Sequence, residues 1–176
     1  MKKYISILSL ALSISLLLSS CIKNDDIKWG GSVVEFDVAA YTTKSGGLPF
    51  PLVNRVPRGY GRALGGLDST ITARAVTDTI RMRINLVGAQ KSTPQTITVK
   101  VSSNFSTAVP GTHFDLLDTQ IIIPANSSFG FARWVIRNPG PPVVAGTTVQ
   151  VVFELIGNSE IQASENFKYV GWLISQ

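Results

Sequence analysis

The sequence is poor in several things, and each shortage excludes something. It has one cysteine, Cys21, so no intrachain disulfide can form. It has one histidine, His113, and no cluster of carboxylates completes a zinc set around it. No serine stands in a nucleophile-elbow sequence, so a Ser-His-Asp arrangement through His113 and Asp115 has no nucleophile to serve. Asp115 and Asp118 are two carboxylates where calcium takes roughly six to eight oxygens. Glu154, Glu160 and Glu165 show no pairing of the kind glycoside hydrolysis needs. Only 15% of residues are charged, and the net charge of +5 is too small to argue for nucleic acid. No window carries apolar residues at helical spacing. The expectation is an all-β protein without catalytic residues, metal or cofactor.

What is present begins at the N-terminal end. Met1, Lys2 and Lys3 precede an uncharged apolar run from Tyr4 to Leu18, and Leu18-Ser19-Ser20-Cys21 follows. A run this short, followed at once by polar residues, has the layout of a secretory signal and not of a membrane span. The small residues ahead of Cys21 resemble the lipobox of bacterial lipoproteins. That resemblance implies cleavage before Cys21 and acylation of its thiol and amine, and several acyl chains hold a protein stably where one does not. Loss of Lys2 and Lys3 takes the formal charge from +5 to +3. Residues 1–20 are then a signal peptide, and residues 21–32 a lipidated cysteine with a polar tether. Lys23-Asn24-Asp25-Asp26 resembles the surface-export signal of Bacteroidota lipoproteins, with Asn24 interrupting the pattern. The location it implies is the outer membrane, lipid-anchored and facing the cell surface.

Residues 33–176 make one domain, long enough to bury a core. Alternation of apolar and polar residues marks the strands. Val34, Phe36 and Val38 alternate with Glu35 and Asp37, which predicts a strand from about Val33 to Thr42. Thr70 to Val76 is a short strand. Ile80, Met82, Ile84 and Leu86 alternate with Arg81, Arg83 and Asn85; Ile97, Val99 and Val101 alternate with Thr98 and Lys100. Gly88 to Pro94 between them has the length of a hairpin turn. Ile121 to Ile123, Phe129 to Arg137, Val149 to Leu155 and Tyr169 to Ser175 complete the set. Seven or eight strands without helices predict a single antiparallel Greek-key β-sandwich. Trp134 and Trp172 fall inside strands and belong in its core.

Between residues 84 and 137 the text resembles a family of Bacteroidota surface lipoproteins of unknown function. The resemblance rests on Asn85-Leu86-Val87-Gly88, on Ser106 to Phe114 with its Pro110-Gly111-Thr112-His113-Phe114 turn, and on Ile123-Pro124-Ala125-Asn126-Ser127-Ser128. It implies an immunoglobulin-like or Calx-beta-like sandwich over roughly residues 33–175 and carries no catalytic residue. Read as residues, the same motifs are structural. Gly111 allows a backbone conformation that a Cβ resists, Phe114 buries a ring, and Pro124 ends a strand.

The long stretch 44–69 is interrupted by Gly46, Gly47, Pro49, Pro51, Pro57, Gly59, Gly61, Gly65 and Gly66. Loops of this length are often functional. Arg55, Arg58 and Arg62 stand here with Tyr60, and no acidic residue lies between Phe50 and Leu67. These four are the candidate binding residues, since guanidinium groups read planar anions and an exposed Tyr ring suits a sugar. The function expected is a non-enzymatic surface module that binds a glycan or a partner protein and reaches the membrane through its lipid. The alternative is a structural anchor subunit of a surface assembly or pilus-like fibre, joined by strand addition.

Overall fold

The structure is a computed structural model and describes residues 30–38, 46–53, 55–56, 69–70, 79–137 and 146–175. Among the described residues there is no helix. The strands are β1 (Val33–Phe36), β2 (Leu52–Val53), β3 (Arg55–Val56), β4 (Ser69–Thr70), β5 (Ile80–Val87) and β6 (Gln95–Val101). They continue with β7 (Phe114–Leu116), β8 (Gln120–Ile123), β9 (Phe129–Ile136), β10 (Thr148–Ile156), β11 (Gln162–Ala163) and β12 (Tyr169–Ser175). One five-stranded sheet runs β11-β1-β5-β9-β7, the other β2-β12-β10-β6-β8, and β3 pairs with β4 alone.

The long strands form where alternation is cleanest, because a period of two puts every second side chain on one face. In β5, Ile80, Met82, Ile84 and Leu86 are buried while Arg81 and Arg83 are exposed. In β6, Ile97 and Val99 are buried. The buried faces of the two sheets meet in one core. Trp134 of the first sheet lies 5.3 Å from Trp172 of the second, ring centre to ring centre, and 5.6 Å from Phe153. Phe114 meets Phe153 edge-on at 5.9 Å. The core placement expected for both tryptophans and for Phe114 therefore holds.

Four expectations are corrected. The first strand ends at Phe36, because the Val38 amide donates to the Phe36 carbonyl and turns the chain; the rest of the stretch expected to reach Thr42 lies outside the described residues. Gly88 to Pro94 has a hairpin's length but does not join a hairpin. β5 pairs with β1 and β9, β6 with β10 and β8, so this connection crosses from one sheet to the other. Gly88 allows the crossing with φ at 134°, its Cα so close to the Gly31 carbonyl that a Cβ would stand 2.6 Å from it. The sheets are antiparallel except at two edges, where β1 pairs with β11 and β12 with β2 in parallel. Finally, the stretch 44–69 is not all loop. Phe50 is fully buried, and Leu52 and Val53 extend the second sheet beside β12.

The turn at 110–114 is built as its residues suggest. Gly111 has φ at 76°, and its amide donates to the Phe114 carbonyl. The Val109 amide donates to Nδ1 of His113 at 2.8 Å, so the single histidine closes a turn.

Candidate functional site

Of the binding residues expected from sequence, Arg58, Tyr60 and Arg62 lie outside the described residues, as does the lipidation site Cys21. Arg55 is placed through its backbone alone, in β3 opposite Thr70 of β4. The geometry that stands out among the described residues is elsewhere, on the outward face of the sheet β11-β1-β5-β9-β7.

Strand β9 explains how that face arises. Its sequence is Phe-Gly-Phe-Ala-Arg-Trp-Val-Ile. Gly130, Ala132, Trp134 and Ile136 share one parity and are buried, so Phe129, Phe131, Arg133 and Val135 must point outward. The inward side is full: a Cβ on Gly130 would stand 2.8 Å from the Ile121 side chain and 2.9 Å from the Ile122 carbonyl. Two phenylalanines are thereby left on the solvent side, with Phe129 45% exposed.

The register lays the face out in rows. Glu35 of β1, Asn85 of β5 and Phe129 of β9 are in line. Asp37, Arg83 and Phe131 form the next row, the Asp37 amide bonding to the Arg83 carbonyl. Arg81 stands opposite Arg133 in the third. The face thus runs from carboxylates on and just beyond β1, through guanidinium and amide groups on β5, to aromatic rings on β9.

The charges are mostly matched. Arg83 Nη2 lies 2.7 Å from Asp37 Oδ2, and Asn85 Nδ2 donates to Asp37 Oδ1 at 3.0 Å. Arg133 donates through Nε and Nη2 to both Asp118 oxygens, at 2.7 and 2.9 Å. Those hydrogen bonds hold the Asp118 carboxyl below its usual range and push the Arg133 guanidinium up. Arg137 pairs with Asp115. Burial pushes the Glu35 carboxyl up, with the Asp37 charge adding to the rise and a hydrogen bond from Ser164 opposing both. Arg81 is different. Its guanidinium carbon lies 4.2 Å above the Phe131 ring centre, and among the described residues no carboxylate pairs with it. Phe129 meets Phe131 edge-on at 5.8 Å, with Arg83 5.9 Å from its ring centre.

Sequence reasoning passed over Phe129 and Phe131, although the signal was there. Two large rings at i and i+2 share the parity of Arg133, and Trp134 claims the opposite face. The other aromatic group is structural: Phe105 stands 5.3 Å from Phe50 and 5.7 Å from Tyr169, covering the second sheet from outside. Tyr169 donates from its hydroxyl to Glu154 at 3.1 Å.

No protein-family model matches the chain, and no curated protein matches it. Solved structures do. A candidate carbohydrate-binding protein from Bacteroides ovatus aligns over 60% of this chain and 34% of its own, at 9% identity and a TM-score of 0.48. EndoBT-3987 from Bacteroides thetaiotamicron, solved with a Man5GlcNAc product, aligns over 60% of this chain and 27% of its own, at 13% identity and a TM-score of 0.50. CBD12 from CALX1.2 aligns over 60% of this chain and 39% of its own, at 14% identity and a TM-score of 0.45. The aligned region spans between about a quarter and two fifths of each of those chains. At such identities the likeness is one of fold.

Proposed function

We propose that this protein is a non-enzymatic binding module for a glycan, and that it binds on the outward face of the sheet containing β9. The observation that carries the reading is the outward Phe129–Phe131 pair, Phe129 exposed and Phe131 half-buried, set beside guanidinium groups on the sheet. An aromatic ring offers a flat apolar surface to the apolar face of a sugar, and held side chains cost less to order on binding. Binding, not catalysis, suits the chemistry: Asp37, Asp115 and Asp118 are each committed to an arginine. The strand order, in which β5, β6, β9 and β10 alternate between the sheets, supports an immunoglobulin-like Greek-key reading of the sandwich.

The expected location belongs to the same proposal. Residues 1–20 act as a lipoprotein signal, Cys21 carries the lipid, and residues 21–32 tether the domain to the outer membrane at the cell surface. The lipobox-like Leu18-Ser19-Ser20-Cys21 and the charged residues after it support this, as in the surface lipoproteins of Bacteroidota. Changing Cys21→Ala is expected to release the protein from the membrane fraction. A variant that still pellets with membranes counts against the anchor.

The binding test uses the domain from Ile27 to Gln176. A glycan array followed by calorimetry should find a ligand, and Phe129→Ala should weaken it at least tenfold without shifting the melting temperature by more than a few degrees. Unchanged affinity in that variant places binding elsewhere, with Arg55, Arg58, Tyr60 and Arg62 the next residues to change.

One observation favours a structural subunit. β8 ends its sheet, carries no charge, and exposes Ile122 at 63%. Uncharged edges invite strand addition. β8 offers four residues before Pro124, so a donated strand gains a short ladder. Concentration-dependent oligomers abolished by Ile122→Lys would favour this reading over the first.

A further inference from the structure

We propose that the ligand is an acidic glycan, and that Arg81, held over the Phe131 ring, receives the carboxylate of a uronic acid residue whose ring packs on Phe129. This rests on the binding reading above and names the chemistry of its ligand.

The argument begins with what each arginine on the face is doing. Arg83 is neutralised by Asp37, and Arg133 is held by both oxygens of Asp118. Arg81 is exposed and lies over a ring, with no carboxylate partner among the described residues. A ring attracts a guanidinium through its charge and supplies no carboxylate to its five N–H donors. Phe131 therefore holds the group in place without neutralising it. Long arginines lose considerable rotamer freedom when they bind, and a ring that fixes the group beforehand lowers that loss.

The surroundings set the sign of the ligand. Arg81 stands directly opposite Arg133. Like charges opposed across a sheet repel, and an anion beside them relieves the repulsion. Asp118 relieves it on the Arg133 side alone. A carboxylate on the Arg81 side completes the pattern.

The rings set the rest of the ligand. Phe131 has one face covered by Arg81, whereas Phe129 is the more open ring and lies 5.8 Å from it. A ligand that reaches both must carry a carboxylate on a compact ring with an apolar face, which describes a hexuronate in a polysaccharide. An aspartate or glutamate side chain has the carboxylate without the ring. A neutral hexose has the ring without the carboxylate.

The test is calorimetry on the domain from Ile27 to Gln176 with oligogalacturonate, its methyl ester, neutral xylo- and manno-oligosaccharides, and poly-glutamate. Arg81→Gln and Arg81→Lys are compared with wild type, and melting temperatures confirm that both fold. The expected result is binding to oligogalacturonate that falls at least tenfold in Arg81→Gln. Arg81→Lys should recover only part, because an ammonium lacks the planar fork. The methyl ester should bind at least tenfold more weakly than the acid. Binding of a neutral oligosaccharide, lost in Phe129→Ala but unaffected by Arg81→Gln, overturns the acidic ligand and leaves the binding module standing. Poly-glutamate binding as tightly as oligogalacturonate overturns it in favour of an acidic protein partner. No binding to any of the sugars, on an array or in solution, overturns both.

Discussion

Glu35 and Asp118 sit on the same sheet face and respond to acid in opposite senses. Burial raises the Glu35 carboxyl, so the folded state holds its proton more tightly than the unfolded state. Its contribution to stability is therefore complete below the ordinary value of 4.5 and is lost as pH rises through the raised folded value. Asp118 is lowered by the hydrogen bonds from Arg133, so its contribution is present above the ordinary value of 3.8 and is lost as pH falls through the folded one. We expect Glu35→Gln to gain stability over wild type at pH 7 and to lose that advantage at pH 4, read by urea denaturation at both. An equal difference at the two pH values would show that the carboxyl is not perturbed. Some residue roles were legible in sequence, such as Phe114 in the core and Gly111 in its turn. The Glu35 shift was not, because it comes chiefly from burial, which depends on what packs around β1, and is opposed by Ser164 from a distant part of the chain.

At the scale of elements, alternation located the long strands but not their neighbours. Ile80 to Leu86 and Ile97 to Val101 were readable as strands, yet nothing in either says that they belong to different sheets. Periodicity reports which face is buried and is silent about which strand lies alongside. Strands β2 and β11 were invisible for another reason: each has two residues, too few for any pattern. Their places are set by packing. Gly171 lacks a side chain where β12 passes Phe50 and Leu52, and a Cβ there would stand 2.8 Å from the Phe50 ring and 2.9 Å from the Leu52 side chain. We expect Gly171→Ala to cost about 1–3 kcal/mol through overpacking, measured as a lower denaturation midpoint. Hydrogen exchange in that variant should speed up at Leu52 and Val53. A change confined to Tyr169–Ser175 would mean that β2 is not held through this contact. The candidate site was half legible on the same grounds. Arg81 and Arg83 were read as the polar side of a strand, and the rings beside them became visible only once β9 was paired to β5.

For the whole molecule, the composition carried furthest. One cysteine, plentiful β-branched residues and no helical period pointed to an all-β domain that folds without cross-links, and the two packed sheets agree with the first half of that. We expect the fragment from Ile27 to Gln176 to give a β-dominated far-ultraviolet spectrum and one cooperative transition, with the same midpoint in oxidising and reducing buffer. A helical spectrum, or a midpoint that moves with the redox state, would contradict this. What composition left unsaid is where the surface differs from any other sandwich. That depends on two sheets meeting and on Trp134 winning the inward side of β9.

The short first strand has a mechanical consequence. In a chain held at residue 21 and pulled at Phe131, tension crosses from β1 to β5 and from β5 to β9. The first ladder has four registered pairs and the second six. β1 is bonded on its other side to β11 through two more pairs, so it comes away only when both of its ladders open. Each freed residue adds about 3.3 Å of slack, while Phe50 and β2 stay wedged against β12 of the opposite sheet. With the ligand seated on β5 and β9 and the lipid on Cys21, as proposed, opening of β1 would lengthen the leash while leaving the β5–β9 ladder intact.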